Sequence, residues 1–162
     1  MTVSVIVSAP RERVFEYLQD VANRPQFTDH YMTEWHLVRE DPVGPGAGAR
    51  YRATSPRLGR FKWGDLTLAE VEPPMKIVET GRTGKDNRVR TVTTWRLDPA
   101  PHGSTRVSLT LQTSPKTFSD KLMESFGARR SAKRNGERAM RRMRDILEGS
   151  RAPGERITVA GG

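Results

Sequence analysis

The chain has 162 residues, no cysteine, and a net charge of +9. One domain of this size buries about 70% of its unfolded surface, so it needs no covalent staples. The composition excludes disulfides, thiolate nucleophiles and cysteine-held zinc, and fits a reducing compartment. The longest apolar stretches are strand-sized, too short to span a membrane. Met1–Val5 lacks the charged and apolar regions of a secretory leader, so a cytoplasmic location is expected.

Val3, Val5 and Val7 alternate with Ser4 and Ile6, which predicts a first strand with one apolar face. Ser8-Ala9-Pro10 opens a helix, with Ser8 as the expected N-cap and Pro10 in the first turn. Val14, Phe15, Leu18 and Val21 form its buried stripe. A second short helix is expected over Pro25–His30, anchored by Phe27.

Six strand-like segments follow, separated by turn chemistry. They are Glu34–Arg39, Ala49–Thr54, Arg60–Glu72, Met75–Thr80, Arg88–Leu97 and Thr105–Thr113. Asp41–Gly48, Ser55–Gly59, Pro73-Pro74, Gly81–Asn87 and Asp98–Gly103 are the connections. Hairpin-length links make such a run an antiparallel meander, buried on one face and wet on the other.

After Pro115 the apolar period changes from two to about 3.6. Phe118, Leu122, Phe126, Ala132, Ala139, Met140, Met143, Ile146 and Leu147 predict a long amphipathic helix over 117–148, about 45 Å in length. Gly127 and Gly136 lie inside it, either for close approach or as tolerated glycines. Gly149 is the expected C-cap. Residues 1–149 read as one domain and 150–162 as a flexible tail.

The basic charge is concentrated late. Lys116–Arg156 carries 12 Lys and Arg against 6 Asp and Glu. This helix is read as a solvated face. Capture of nucleic acid or an anionic membrane surface is the minority reading. An exposed edge strand or the basic helix could also support a homodimer.

The order of elements resembles the START-like (SRPBCC) superfamily, in its polyketide cyclase/dehydrase and lipid-transport branch. The residues that carry the resemblance are Val5-x-Val7-Ser8-Ala9-Pro10-x-x-x-Val14-Phe15-x-x-Leu18-x-Asp20, Asn23-x-Pro25-x-Phe27, Val71-Glu72-Pro73-Pro74-x-Lys76-Ile77 and Trp95-x-Leu97. They span residues 2–148. Phe27 stands where the superfamily often has tryptophan. The resemblance implies an α+β helix-grip fold. A seven-stranded antiparallel curved sheet wraps a long C-terminal helix, with two short helices after the first strand. It also implies an elongated apolar cavity for a lipid or polyketide-like ligand. It transfers no catalytic residue, because a fold does not fix a function.

Strand alternation then nominates a lining: Tyr51, Trp63, Asp65, Thr67, Thr91, Thr93, Trp95, Val107 and Leu109. The helix adds Phe126 and further candidates in Arg130, Lys133 and Met140. Taken singly, Trp63 and Trp95 read more readily as plain core, where aromatic residues dominate anyway. Asp65 beside Trp63 is the sharpest candidate for a general acid or base, since a carboxylate in a dry pocket holds its proton more tightly. It reads alternatively as an arginine-paired structural group or as a bulge residue facing water. Tyr51 is the second catalytic candidate, as a hydrogen-bond donor.

No cofactor is expected. Gly44-x-Gly46-x-x-Ala49 matches a dinucleotide fingerprint by letters, but a strand follows it instead of a helix. His30, His36 and His102 lack metal-ligand spacing, so no metal is expected either.

Three functions remain open. The first is a binding protein for a hydrophobic or aromatic small molecule. The second is a polyketide cyclase, aromatase or dehydrase acting on a poly-β-ketone chain. The third is an interaction module using the basic helix.

Overall fold

The computed structural model describes residues 1–54, 61–83, 88–114 and 126–158. The sheet contains β1 (Thr2–Val7), β2 (Met32–Leu37), β3 (Gly48–Thr54), β4 (Phe61–Glu72), β5 (Lys76–Thr83), β6 (Val89–Pro99) and β7 (Thr105–Ser114). Its order is β1-β7-β6-β5-β4-β3-β2, and every pairing is antiparallel. Only β1 leaves sequence order: it pairs with β7, so the edges are β1 and β2. Helices α1 (Arg11–Gln19) and α2 (Arg24–Thr28) follow β1, joined by a 3₁₀ turn over Val21–Asn23. The last helix, α3, spans Phe126–Leu147. This is the helix-grip arrangement.

The apolar stripes position these parts. Val14, Phe15 and Leu18 of α1 are buried, as are Ala139, Met140, Met143 and Leu147 of α3. They meet Val3, Val7, Leu97 and Val107 from the sheet in one core. α3 packs on β1 and α2. Gly136 permits this approach: a Cβ there would stand 3.1 Å from Met1 Cε and 3.4 Å from Val3 Cγ2. At its end α3 turns at Gly149, with φ of +76°.

Three details differ from the sequence reading. Ser8 does not cap α1. Pro10 takes the N-cap position without a side-chain bond, and the Ser8 amide donates to Glu148 Oε1 at 2.7 Å. β5 runs three residues beyond Thr80, because Gly81, Arg82 and Thr83 keep pairing with β6. The segment after α3 is tied down at Ile157, which is buried and donates its N–H to Ala22 O at 3.0 Å. Arg156 Nη2 adds a bond to Asp20 Oδ2 at 2.6 Å. Residues 117–125 of the expected long helix lie outside the described residues.

Candidate functional site

A pocket of about 220 Å³ lies between the sheet's inner face, α2 and α3. Its walls are mainly apolar: Phe27, Trp35, Tyr51, Leu66, Trp95 and Leu109 are the large contributors. Among the described residues, α3 presents small side chains to it, at Ala132, Gly136 and Ala139. That choice leaves room where a larger side chain would fill the space.

Alternation explains the lining of β6. Thr91, Thr93 and Trp95 point inward as expected, and Leu109 joins them from β7. Val107 is fully buried core behind them. Tyr51 also lines the pocket, from β3. Its ring packs on Trp35 at a centroid distance of 4.8 Å and passes over Gly64, its cross-strand partner. A Cβ on Gly64 would stand 2.7 Å from Tyr51 Cζ. Here the missing side chain is what the tyrosine ring requires.

β4 shows the opposite face from the one expected. Gly64, Leu66 and Leu68 point inward, and Trp63 and Thr67 point outward. Trp63 is 41% exposed and lies under the guanidinium groups of Arg50 and Arg52 at 5.6 and 5.7 Å. The cause is register. Tyr51 pairs with Gly64 and Ala49 with Leu66, so these residues share the inner face. Asp65 is consequently half-buried at the pocket edge, and its Oδ1 accepts the Arg82 backbone N–H at 2.8 Å. It is therefore not the carboxylate beside an inner tryptophan.

Arg130 and Lys133 are exposed on α3, and Met140 is buried in the core; none of them lines the pocket. The Phe126 side chain lies outside the described residues.

Sequence reasoning missed the polar heart of the pocket. Arg24, from α2, is 2% exposed and Glu79, from β5, is 5% exposed. Arg24 Nη2 donates to Glu79 Oε1, and the Trp95 indole N–H donates to the same oxygen at 2.8 Å. The guanidinium carbon stands 5.0 Å from the Trp95 ring centroid and 5.7 Å from that of Phe27. Arg24 Nε and Nη1 are buried and meet no hydrogen-bond acceptor among the described residues. Tyr31 and Tyr51 complete the cluster. Burial above all pushes both phenols far above their ordinary range. Glu79 adds to it at Tyr31 against the pull of Arg24, and Tyr31, Glu79 and Asp65 add to it in that order at Tyr51. At neutral pH they are hydrogen-bond donors, not bases.

The described residues hold no group of three or more metal-ligating side chains and no helix long and apolar enough to cross a membrane.

Comparison with known proteins agrees with the fold. Residues 1–148 match the family model described as polyketide cyclase / dehydrase and lipid transport. Among solved structures, the chain resembles the Zhui aromatase/cyclase from Streptomyces sp. R1128, with a TM-score of 0.73 and 17% identity over 94% of this chain and 95% of that one. It also resembles TTHA0849 from Thermus thermophilus, with a TM-score of 0.68 and 17% identity over 94% of this chain and 99% of that one. Ara h 8.0201 matches with a TM-score of 0.67 and 10% identity over 92% of this chain and 97% of that one. At such identities the likeness is one of fold. No curated protein matches the chain.

Proposed function

The chain belongs to the polyketide cyclase/dehydrase and lipid-transport family, and from that premise we propose that it binds a hydrophobic or aromatic small molecule in the pocket between sheet and α3. The observation that carries this reading is the pocket itself: aromatic and aliphatic walls around a few convergent polar groups. That combination is what small-molecule sites present, apolar surface for affinity and sparse polar atoms for orientation. Its volume of about 220 Å³ suits a compact ligand. A wall of large, inward aromatic side chains favours flat rings over a flexible chain, because rings lose little freedom on binding.

Native mass spectrometry of the protein purified from its own cells tests the reading. A stoichiometric hydrophobic adduct, displaced by an added aromatic compound, is the expected result. A protein that emerges empty and shows no saturable uptake of aromatic compounds would sink it.

The family description and the likeness to an aromatase/cyclase favour a second reading, cyclisation or dehydration of a poly-β-ketone chain. Tyr51 remains with the pocket in this reading. Asp65 loses ground, because its carboxylate oxygen Oδ1 is engaged by the backbone amide of Arg82, its cross-strand partner on β5. Turnover of a poly-β-ketone substrate separates the two readings; saturable binding without turnover supports the first.

A further inference from the structure

The Arg24 guanidinium is costly as it stands. It carries five N–H donors and no acceptor. One nitrogen serves Glu79. The group is held between Trp95 and Phe27. Nε and Nη1 remain buried with no acceptor among the described residues. Unpaired buried donors are rare because each has lost its water without replacement. Arg24 is also a lining residue of the pocket, together with Glu79 and Trp95. An acceptor brought into the pocket is therefore what would satisfy these donors.

The charge balance narrows the acceptor. Glu79 already neutralises Arg24, and the other cation among the described lining residues, the exposed Met1 ammonium, is engaged by Leu111 O at 2.7 Å. A carboxylate or phosphate entering there would be desolvated beside Glu79 with no countercharge of its own. A neutral oxygen carries no such penalty. The Tyr31 and Tyr51 hydroxyls, kept protonated by burial, are further donors on the same walls.

We propose that Arg24 is the polar anchor of this pocket and that its ligand is an uncharged aromatic molecule whose carbonyl oxygen accepts the free Arg24 N–H groups. The inference rests on the small-molecule reading above. It adds to that reading a specificity-determining residue and a charge class for the ligand.

Three probes of nearly equal shape test it by calorimetry: 2-acetylnaphthalene, the hydrocarbon 2-isopropenylnaphthalene, and 2-naphthoate. The ketone should bind about tenfold or more tightly than the hydrocarbon, as expected for a hydrogen bond from a charged donor. The carboxylate should bind more weakly than the ketone. In the double variant Arg24→Met with Glu79→Leu, the ketone preference should vanish while the hydrocarbon still binds. Should that variant not fold, the infrared carbonyl stretch of 2-acetylnaphthalene bound to the unaltered protein reads the same contact: a band lower in frequency than in a hydrocarbon solvent is expected from a charged donor, and an unshifted band overturns the anchor.

Equal binding of ketone and hydrocarbon by the unaltered protein overturns the anchor but leaves the pocket reading intact. Tightest binding of 2-naphthoate overturns the charge class. Binding of none of the three overturns the small-molecule reading, and the anchor with it.

Discussion

Removing either member of the Arg24–Glu79 pair should do more harm than removing both. Each side chain is almost wholly buried. Arg24→Met leaves the Glu79 carboxylate in the interior without its countercharge, a loss of about 3–5 kcal/mol. Glu79→Leu strands the guanidinium and also deprives the Trp95 indole N–H of its acceptor. That second loss adds about 1–3 kcal/mol. Independent effects would therefore sum to about 7–13 kcal/mol, enough to unfold an ordinary domain. In the double variant both charges vanish together, and only the indole N–H is left without a partner. It should cost about 1–3 kcal/mol, so the coupling between the two sites should be at least about 4 kcal/mol. Urea unfolding of the four proteins, run in sucrose to keep the single variants folded, measures this directly. A double variant as damaged as the sum of the singles would refute the reasoning. The two residues would then be separate structural supports instead of one charge-compensated unit.

Gly64→Ala should cost about 1–3 kcal/mol, since its Cβ would fall 2.7 Å from Cζ of a buried tyrosine; adding Tyr51→Leu should recover part of the loss in the same urea melts. Trp63→Ala should cost no more than about 1 kcal/mol, the worth of its exposed cation–π contacts, and should leave 2-acetylnaphthalene affinity unchanged; a loss near that of a core tryptophan, about 3–5 kcal/mol, would contradict the outward face. Stability should also fall in acid through His30. Arg142 Nη1 donates to its Nδ1 at 3.1 Å, which leaves Nε2 to carry the hydrogen toward Asn135 O at 3.3 Å. Asp29 Oδ1 is 3.8 Å from Nδ1 but is already bonded by Arg142. Burial, reinforced by Arg138 and Arg151 and opposed by the Asn135 bond, pulls His30 below the ordinary imidazole value of 6.5. The unfolded chain therefore takes the proton first, so the His30 contribution is complete above pH 6.5 and is lost as pH falls below it. His30→Gln should flatten that decline in thermal melts at stepped pH; an unchanged slope would remove His30 as its cause.

Periodicity carried most of the fold. The valines of β1, the threonine and tryptophan face of β6 and the apolar stripe of α3 are all strong repeating signals, and over the described residues the structure uses each of them as read; Phe118, Leu122 and the Phe126 side chain of that stripe lie outside those residues. β4 failed for an instructive reason. Its two faces are Trp63, Asp65 and Thr67 against Gly64, Leu66 and Leu68, and the tryptophan drew the inner assignment. The decisive information was the pairing with β3. Tyr51 needs a small residue opposite, and only the register that places Gly64 there supplies one. A slip of one residue in that pairing exchanges the faces completely. Arg24 and Glu79 were hidden more deeply. Arginine and glutamate are nearly always exposed, and their meeting joins positions 55 apart in sequence. One faint signal existed: Glu79 shares its strand face with buried Ile77, two residues away. A charge on an apolar face is a reason to search for its partner.

The same cluster bears on whether the pocket holds or converts its ligand. Cyclising a poly-β-ketone requires a base that removes a C–H proton and donors that stabilise the resulting enolate. Donors are plentiful here, in Arg24, Tyr31 and Tyr51. The described lining offers two carboxylates, Glu79 and Asp65. Asp65 Oδ1 is taken by a backbone amide, and Glu79 Oε1 already accepts from both Arg24 and Trp95. The site is thus richer in means to hold a carbonyl than to deprotonate its neighbour, which is the balance a binding protein needs. Glu79→Gln decides the matter, because it keeps the shape and an oxygen acceptor but removes the charge. A binding protein should retain saturable uptake of 2-isopropenylnaphthalene, the probe without charge or acceptor. Turnover of a poly-β-ketone by the unaltered protein, abolished in Glu79→Gln while that uptake persists, would make Glu79 the base and the pocket an active site.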